Sequence, residues 1–137
     1  MNPIAPIVIY PALGLLSFGI ALPTHSQTYP IKSMRLIVPY APGGIVDYVG
    51  RLMGQRLSDA LGQNVVIDNR PGAGGIIGIE TASKASGDGY TLLIMDPAIV
   101  INPNLLAKVP YDINKDLRPV TILSSSPLVL AINAKVP

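Results

Sequence analysis

The chain has 137 residues, no cysteine, one histidine, 49% apolar and 13% charged side chains, and a formal net charge of +2. Its length suits a single core, roughly one domain of the usual ~100–150 residues, and the lack of cysteine excludes a disulfide framework, a thiolate nucleophile and cysteine-based zinc or iron–sulfur sites. Ten Lys and Arg are scattered without a basic run beside one Phe and no Trp, so no nucleic-acid partner is expected.

Charge is absent before Lys32, and Ile4 to Leu22 is almost wholly apolar ahead of the small, polar stretch Pro23-Thr24-His25-Ser26-Gln27. This outline predicts a secretory signal peptide over residues 1–26, cut at about Gln27, with an atypical n-region whose only charge is the amino terminus. Pro3, Pro6 and Pro11 argue against a regular spanning helix, which needs ~20 apolar residues.

From Lys32 the pattern alternates. Met34 to Val38 is a short branched run that suits a buried strand. Past the turn Pro42-Gly43-Gly44, apolar residues at Ile45, Val49, Leu52, Met53, Leu57 and Leu61 follow the spacing of one helix face, and Gly62 stops that helix. Val65 to Ile67 reads as a second strand, Gly75 to Ser86 as a second helix, and Thr91 to Met95 as a third strand. Asn102 to Lys108 reads as a short helix, Val109 to Asp112 as a loop, and Val120 to Leu123 and Leu128 to Ile132 as two further strands. Strands alternating with helices over short connections imply a parallel-rich α/β sheet covered by helices.

In such sheets ligands sit outside the carboxyl ends of the strands, which singles out three loops. Tyr40, Ala41, Pro42, Gly43 and Gly44 lead into a helix whose first turn holds Asp47; the glycines free backbone N–H groups for an anion, or else they simply make a tight turn. Gly72, Ala73, Gly74 and Gly75 open the second helix after Asn69-Arg70-Pro71. Their spacing departs from a dinucleotide fingerprint, because Ile77 occupies its third glycine position, although Asp96 lies where a ribose-binding acid would be. Arg70 serves an anionic ligand or pairs with Asp68 or Asp47 as scaffold. The third loop runs from Asp96 through Ala98 to Pro103, and Asp96 either caps a turn or receives an ammonium group. His25, the sole imidazole, falls in the expected leader, so no catalytic triad, metal ligand or cofactor site is assigned.

The segments PGG with Asp three residues on, Asp68 to Gly75 (DNRPGAGG), Asp88 to Leu93 (DGYTLL), Ile101 to Pro103 (INP) and Pro110 to Asp116 (PYD-x-x-K-D) together resemble the tripartite tricarboxylate transporter substrate-binding proteins, the Bug receptors, over Tyr29 to Pro137. The resemblance implies a periplasmic solute-binding protein of the type II Venus-flytrap architecture that is not an enzyme. Its ligand would be a small carboxylate: a dicarboxylate, tricarboxylate, acidic amino acid or aromatic acid. Membrane subunits of such a transporter would be its partners. Carried onto this chain, Tyr40 to Asp47, Gly72 to Gly75 and Asp96 to Ala98 would line one side of the ligand cleft. Val46 stands where the family usually has Thr or Ser. Family members exceed twice this length, so residues 27–123 are expected to form an incomplete first lobe and residues 124–137 a strand crossing toward a second. A truncated, nonfunctional remnant and an NAD-binding oxidoreductase fragment are the alternative readings.

Overall fold

The computed structural model describes residues 29–125, 127 and 129–135, so the expected signal peptide lies outside the described residues. In chain order the elements are β1 (Met34–Val38), α1 (Ile45–Leu61), β2 (Val65–Asn69), α2 (Ile76–Ser83), β3 (Thr91–Leu93), α3 (Ala98–Leu105) and α4 (Ile113–Asp116). The strands form one sheet in the order β2-β1-β3, with β1 parallel to both neighbours. The chain therefore steps from the central strand to one side and then back across to the other. Right-handed crossovers then place α1 and α2 on opposite faces of the sheet.

Alternation along β1 sorts the core. Met34, Leu36 and Val38 pack with Val65, Ile94, Val46, Val49, Leu57 and Leu61 beneath α1. Ile37 points the other way, to the side of α2, where Ile79 is likewise fully buried. Each such side chain contributes roughly 1.5–3 kcal/mol on leaving water.

The helix face of α1 is largely the one its apolar spacing suggests, with Val49, Leu57 and Leu61 packed against the core. Ile45 and Leu52 are exposed, and the sheet-facing stripe runs through Val46, Gly50, Met53, Gly54 and Leu57. A Cβ at Gly50 would lie 3.0 Å from Val38 Cγ2 and one at Gly54 2.7 Å from Ile67 Cδ1, so the bare backbone is the point of closest approach. At the helix end Gly62 adopts φ 66 and its N–H bonds the Ser58 carbonyl, as expected of a stop signal.

Other boundaries shift for local reasons. β2 extends two residues past the expected Ile67, because Ile37 and Val38 of β1 supply ladder partners for Asp68 and Asn69. β3 ends at Leu93, and α2 at Ser83, where Lys84 forms its C-cap. The third helix starts at Ala98, four residues before the expected Asn102, so the segment read as a loop from Asp96 to Pro103 is largely helical. Asp96 Oδ1 accepts the Ala98 N–H at 2.9 Å, and Pro97 has the helical φ of −60 that nucleates the turn. α4 was not anticipated; Asp112 accepts the Asn114 N–H while Asp116 reaches back to the Asp112 N–H, a reciprocal cap. The strands expected at Val120–Leu123 and Leu128–Ile132 do not form among the described residues there, where Val120, Ile122, Val129 and Leu130 are exposed. An alternating apolar run becomes a strand only when a neighbouring edge supplies hydrogen bonds.

Candidate functional site

All three loops at the carboxyl ends of the strands come from parallel neighbours, so they open on the same edge of the sheet. The first, Tyr40 to Gly44, is shaped by Asp47. This side chain is almost completely buried, and Oδ2 accepts the Gly43 N–H at 2.9 Å and Arg51 Nε at 3.0 Å, while Oδ1 accepts Asn69 Nδ2 at 2.9 Å. Asn69 also donates to the Tyr40 carbonyl at 3.0 Å, which ties the end of β2 to the loop after β1. The Arg51 guanidinium, then the Gly43 N–H and the Asn69 amide, hold the Asp47 carboxyl down at about 2. Asp47 is thus committed to the scaffold of the loop, and so is the Gly43 N–H.

The second loop has an unusual backbone. Ala73, Gly74 and Gly75 all have positive φ, at 48, 62 and 90. For Ala73 the left-handed conformation costs about 1–2 kcal/mol relative to an ordinary helical one. The geometry persists because the loop is held on both sides: Gly75 N–H bonds the Gly72 carbonyl at 3.0 Å and Asn102 Nδ2 of α3 donates to the Gly74 carbonyl at 3.3 Å. Gly75 is buried beneath Tyr40, whose hydroxyl would lie 3.3 Å from an added Cβ.

Tyr40 joins the first loop to the third. Its hydroxyl donates to Asp96 Oδ2 at 2.9 Å, and Asp96 Oδ1 caps Ala98. Burial, reinforced by the Asp96 carboxylate, pushes the Tyr40 hydroxyl up to about 12. Between β1 and β3, where the direction of chain progression reverses, Tyr40, Gly44, Ile45, Val46 and Asp96 line a shallow depression of about 260 Å³. No side chain caps the N-terminus of α1 at Gly44. The first-turn N–H groups of that helix are left for a ligand or for water, and the helix dipole favours an anion there.

The expected site residues therefore fall into distinct positions. Tyr40, Gly44 and Asp96 line the depression, Gly75 packs under it, Ala98 receives the Asp96 cap, and Ala41, Pro42 and Gly72 to Gly74 are exposed on the surrounding loops. Arg70 pairs with Asp68 at 2.9 Å, and Arg35 reaches the same carboxylate. Burial opposes the Asp68 charge, but these two guanidinium groups outweigh it and lower the carboxyl below its usual range. A larger open depression of about 440 Å³ beside this trio lies along β1 and β2, and both of its cations are already spent on Asp68. The sequence reading places Asn69 and Asn102 in the candidate loops without giving them a role, and does not single out Arg51. The i, i+4 spacing of Asp47 and Arg51 was a legible signal, whereas the reach of Asn69 to Asp47 spans 22 positions and has no local signature.

Comparison with known proteins agrees with this architecture. The family model for the tripartite tricarboxylate transporter family receptor, TctC, matches residues 49–137. The chain is 42% identical over 119 residues to protein BugT of Bordetella pertussis (strain Tohama I), which covers 85% of this chain and 36% of BugT. Among solved structures it is similar to one described as a periplasmic transporter, with 48% identity and a TM-score of 0.65 over 68% of this chain and 32% of that one. It is also similar to R. palustris Rpa4515 with adipate, with 39% identity and a TM-score of 0.59 over 61% of this chain and 28% of that one. The chain spans a little over a third of the length of the curated relatives it matches. With the sequence motifs, the parallel α/β sheet and these matches in agreement, the chain belongs to the TctC family of tripartite tricarboxylate transporter receptors, the Bug proteins.

Proposed function

We propose that the protein is an exported receptor that captures a small carboxylate at the carboxyl ends of β1, β2 and β3 and delivers it, chemically unchanged, to membrane subunits of a tripartite tricarboxylate-type transporter. One observation carries the reading: the uncapped N-terminus of α1 opens on a depression at the point where the strand order reverses, bounded by Tyr40 and Asp96. Backbone donors there suit a carboxylate, and the glycine loop Gly72 to Gly75 brings a second helix N-terminus to the same edge. A related protein, 39% identical, has been solved with adipate. In this reading residues 1–26 are the signal peptide, residues 27–123 belong to the first lobe, and residues 124–137 cross toward the second. Family membership takes precedence over the dinucleotide-binding alternative.

The test is calorimetric titration and thermal unfolding of the intact protein against dicarboxylates, tricarboxylates, acidic amino acids and aromatic acids. A true ligand at 100 times its Kd stabilises the fold by about 2.7 kcal/mol, a readily measured rise in Tm. Silence across the whole panel would refute carboxylate capture and favour the nonfunctional alternative. Export is checked by mass spectrometry of the periplasmic fraction, where the mature chain is expected to begin near Gln27; retention of residues 1–26 would refute it.

A further inference from the structure

We infer that the open edge of β3 pairs with the run Val120–Leu123 of a second copy of this chain, two copies exchanging these arms reciprocally; the inference stands apart from the carboxylate capture proposed above. A sheet of three strands in the order β2-β1-β3 has two edges, and β3 is one of them. The ladder with β1 fixes which of its backbone groups are left over. The Arg35 N–H donates to the Tyr90 carbonyl and the Ile94 N–H to the Ile37 carbonyl, so Tyr90 and Ile94 turn their polar groups toward β1. Alternation along the strand then turns the N–H and C=O of Thr91 and Leu93 the other way, where no described residue bonds them. The two edges of the sheet are not equivalent. β2 carries Asp68, with Arg35 and Arg70 paired to it, charges of the kind that blunt an edge, whereas Tyr90 to Met95 has no charged residue.

The chain also holds a segment that fits. Val120-Thr121-Ile122-Leu123 is uncharged, and its Val, Thr and Ile are β-branched, the type that favours strands. In the single copy it forms no strand: Val120 and Ile122 are 85% and 87% exposed, and β3 pairs only with β1. An apolar run held in water and an unpaired strand edge are each unfavourable, and pairing one with the other removes both. The run stands clear of its own sheet, so the matching edge is presented by another copy, and the exchange is reciprocal, each copy giving one arm and one edge. Such a two-fold arrangement closes on itself, using both β3 edges instead of propagating a fibre. Residues 124–137 take no part in the pairing and stay free for the crossing proposed above.

The experiment measures the mass of the intact protein by sedimentation velocity from about 1 to 200 μM, together with amide hydrogen exchange at Thr91 and Leu93. A reversible dimer is expected, with exchange of these two amides about tenfold slower or more at the top of the range than at the bottom. Thr121→Pro and Ile122→Pro remove the N–H at successive arm positions, one of which points at the edge, so at least one of them should raise the dimer Kd about tenfold or more. Ile122→Lys, which puts a charge on the arm, is the further variant should a proline disturb the monomer, and the same rise is expected. Because both positions are exposed in the single copy, the circular dichroism and Tm of the variants at about 1 μM should match wild type. A protein that stays monomeric with fast exchange at Thr91 and Leu93 overturns the inference. So does a monomer in which these amides exchange slowly, since its own arm then closes the edge. A dimer that survives all three substitutions overturns it as well, because the contact then lies elsewhere.

Discussion

Pro103 lies inside α3 and has no N–H to give, so the carbonyl four residues earlier, that of Ile99, loses its helical partner. The structure supplies a replacement from outside the helix: the hydroxyl of Tyr111, which is buried, donates to the Ile99 oxygen at 3.2 Å. Tyr111→Phe keeps the ring and its packing but deletes that donor to the Ile99 carbonyl. The expected loss is about 1–2 kcal/mol, the range for a polar group left unpaired in a partly buried setting. Pro103→Ala returns an N–H to the ladder, so in that background Tyr111→Phe should cost no more than about 0.5 kcal/mol, giving a coupling of about 1 kcal/mol between the two positions. Urea unfolding of the four proteins followed by circular dichroism measures this directly. With a slope of about 2 kcal/mol per molar, the single variant should unfold roughly 0.5–1 M earlier than the wild type. Equal costs in the two backgrounds, within about 0.3 kcal/mol, would refute the idea that the hydroxyl stands in for the missing N–H.

Asp47 gives a pH prediction. Its carboxyl is held at about 2 against an ordinary 3.8, so its contribution is fully present above the ordinary value and is lost as pH falls toward 2. Asp47→Asn should therefore be less stable than wild type at neutral pH, with the gap closing between about pH 4 and pH 2 in urea midpoints; a gap independent of pH would refute the assignment. Gly78→Ala places a Cβ 2.5 Å from Pro39 Cβ and 2.6 Å from its Cα, so α2 must lift from the sheet. It should cost about 1–3 kcal/mol in thermal unfolding, the usual range for overpacking. Gly87→Ala, with nothing within 4 Å, should be neutral or slightly stabilising in the same assay. Asn69→Ala removes the donor to both the Tyr40 carbonyl and Asp47. Ligand affinity should fall at least tenfold as the first loop loosens, with most of the change in the dissociation rate by stopped-flow; an unchanged dissociation rate would argue that the loop is held without it.

Local signals were read well where their physics is local. The run Met34 to Val38 became β1 with its predicted ends, and Ile45 to Leu61 became α1, closed by Gly62. Apolar periodicity and a left-handed glycine act over a few residues and leave marks in the chain itself. The face of α1 on the sheet was only partly legible: Val49, Leu57 and Leu61 do turn inward. The apolar count placed Ile45 and Leu52 on the buried face, while the closest contact with β1 and β2 runs through Gly50 and Gly54, which carry no hydrophobic signal. The third helix was placed late for a similar reason, since its start depends on which donor the Asp96 side chain selects.

Among the expected site residues, the sequence marked the three loops because glycine, proline and a following helix announce a strand-to-helix turn. It could not say which of those residues face a ligand and which hold the loop. Asp47 carries the same carboxylate as Asp96, yet one is nearly closed off by Gly43, Arg51 and Asn69 while the other lines the depression with Tyr40. By itself the sequence determined the order of elements from β1 to β3 and the family, and it marked the strand-to-helix turns from which the proposed site is built. Only the tertiary structure decided that Tyr40 spends its proton on Asp96 and that Asn69 fastens the first loop. Both choices join positions tens of residues apart in the chain, and side-chain hydrogen bonds at that separation are set by how the strands stack side by side.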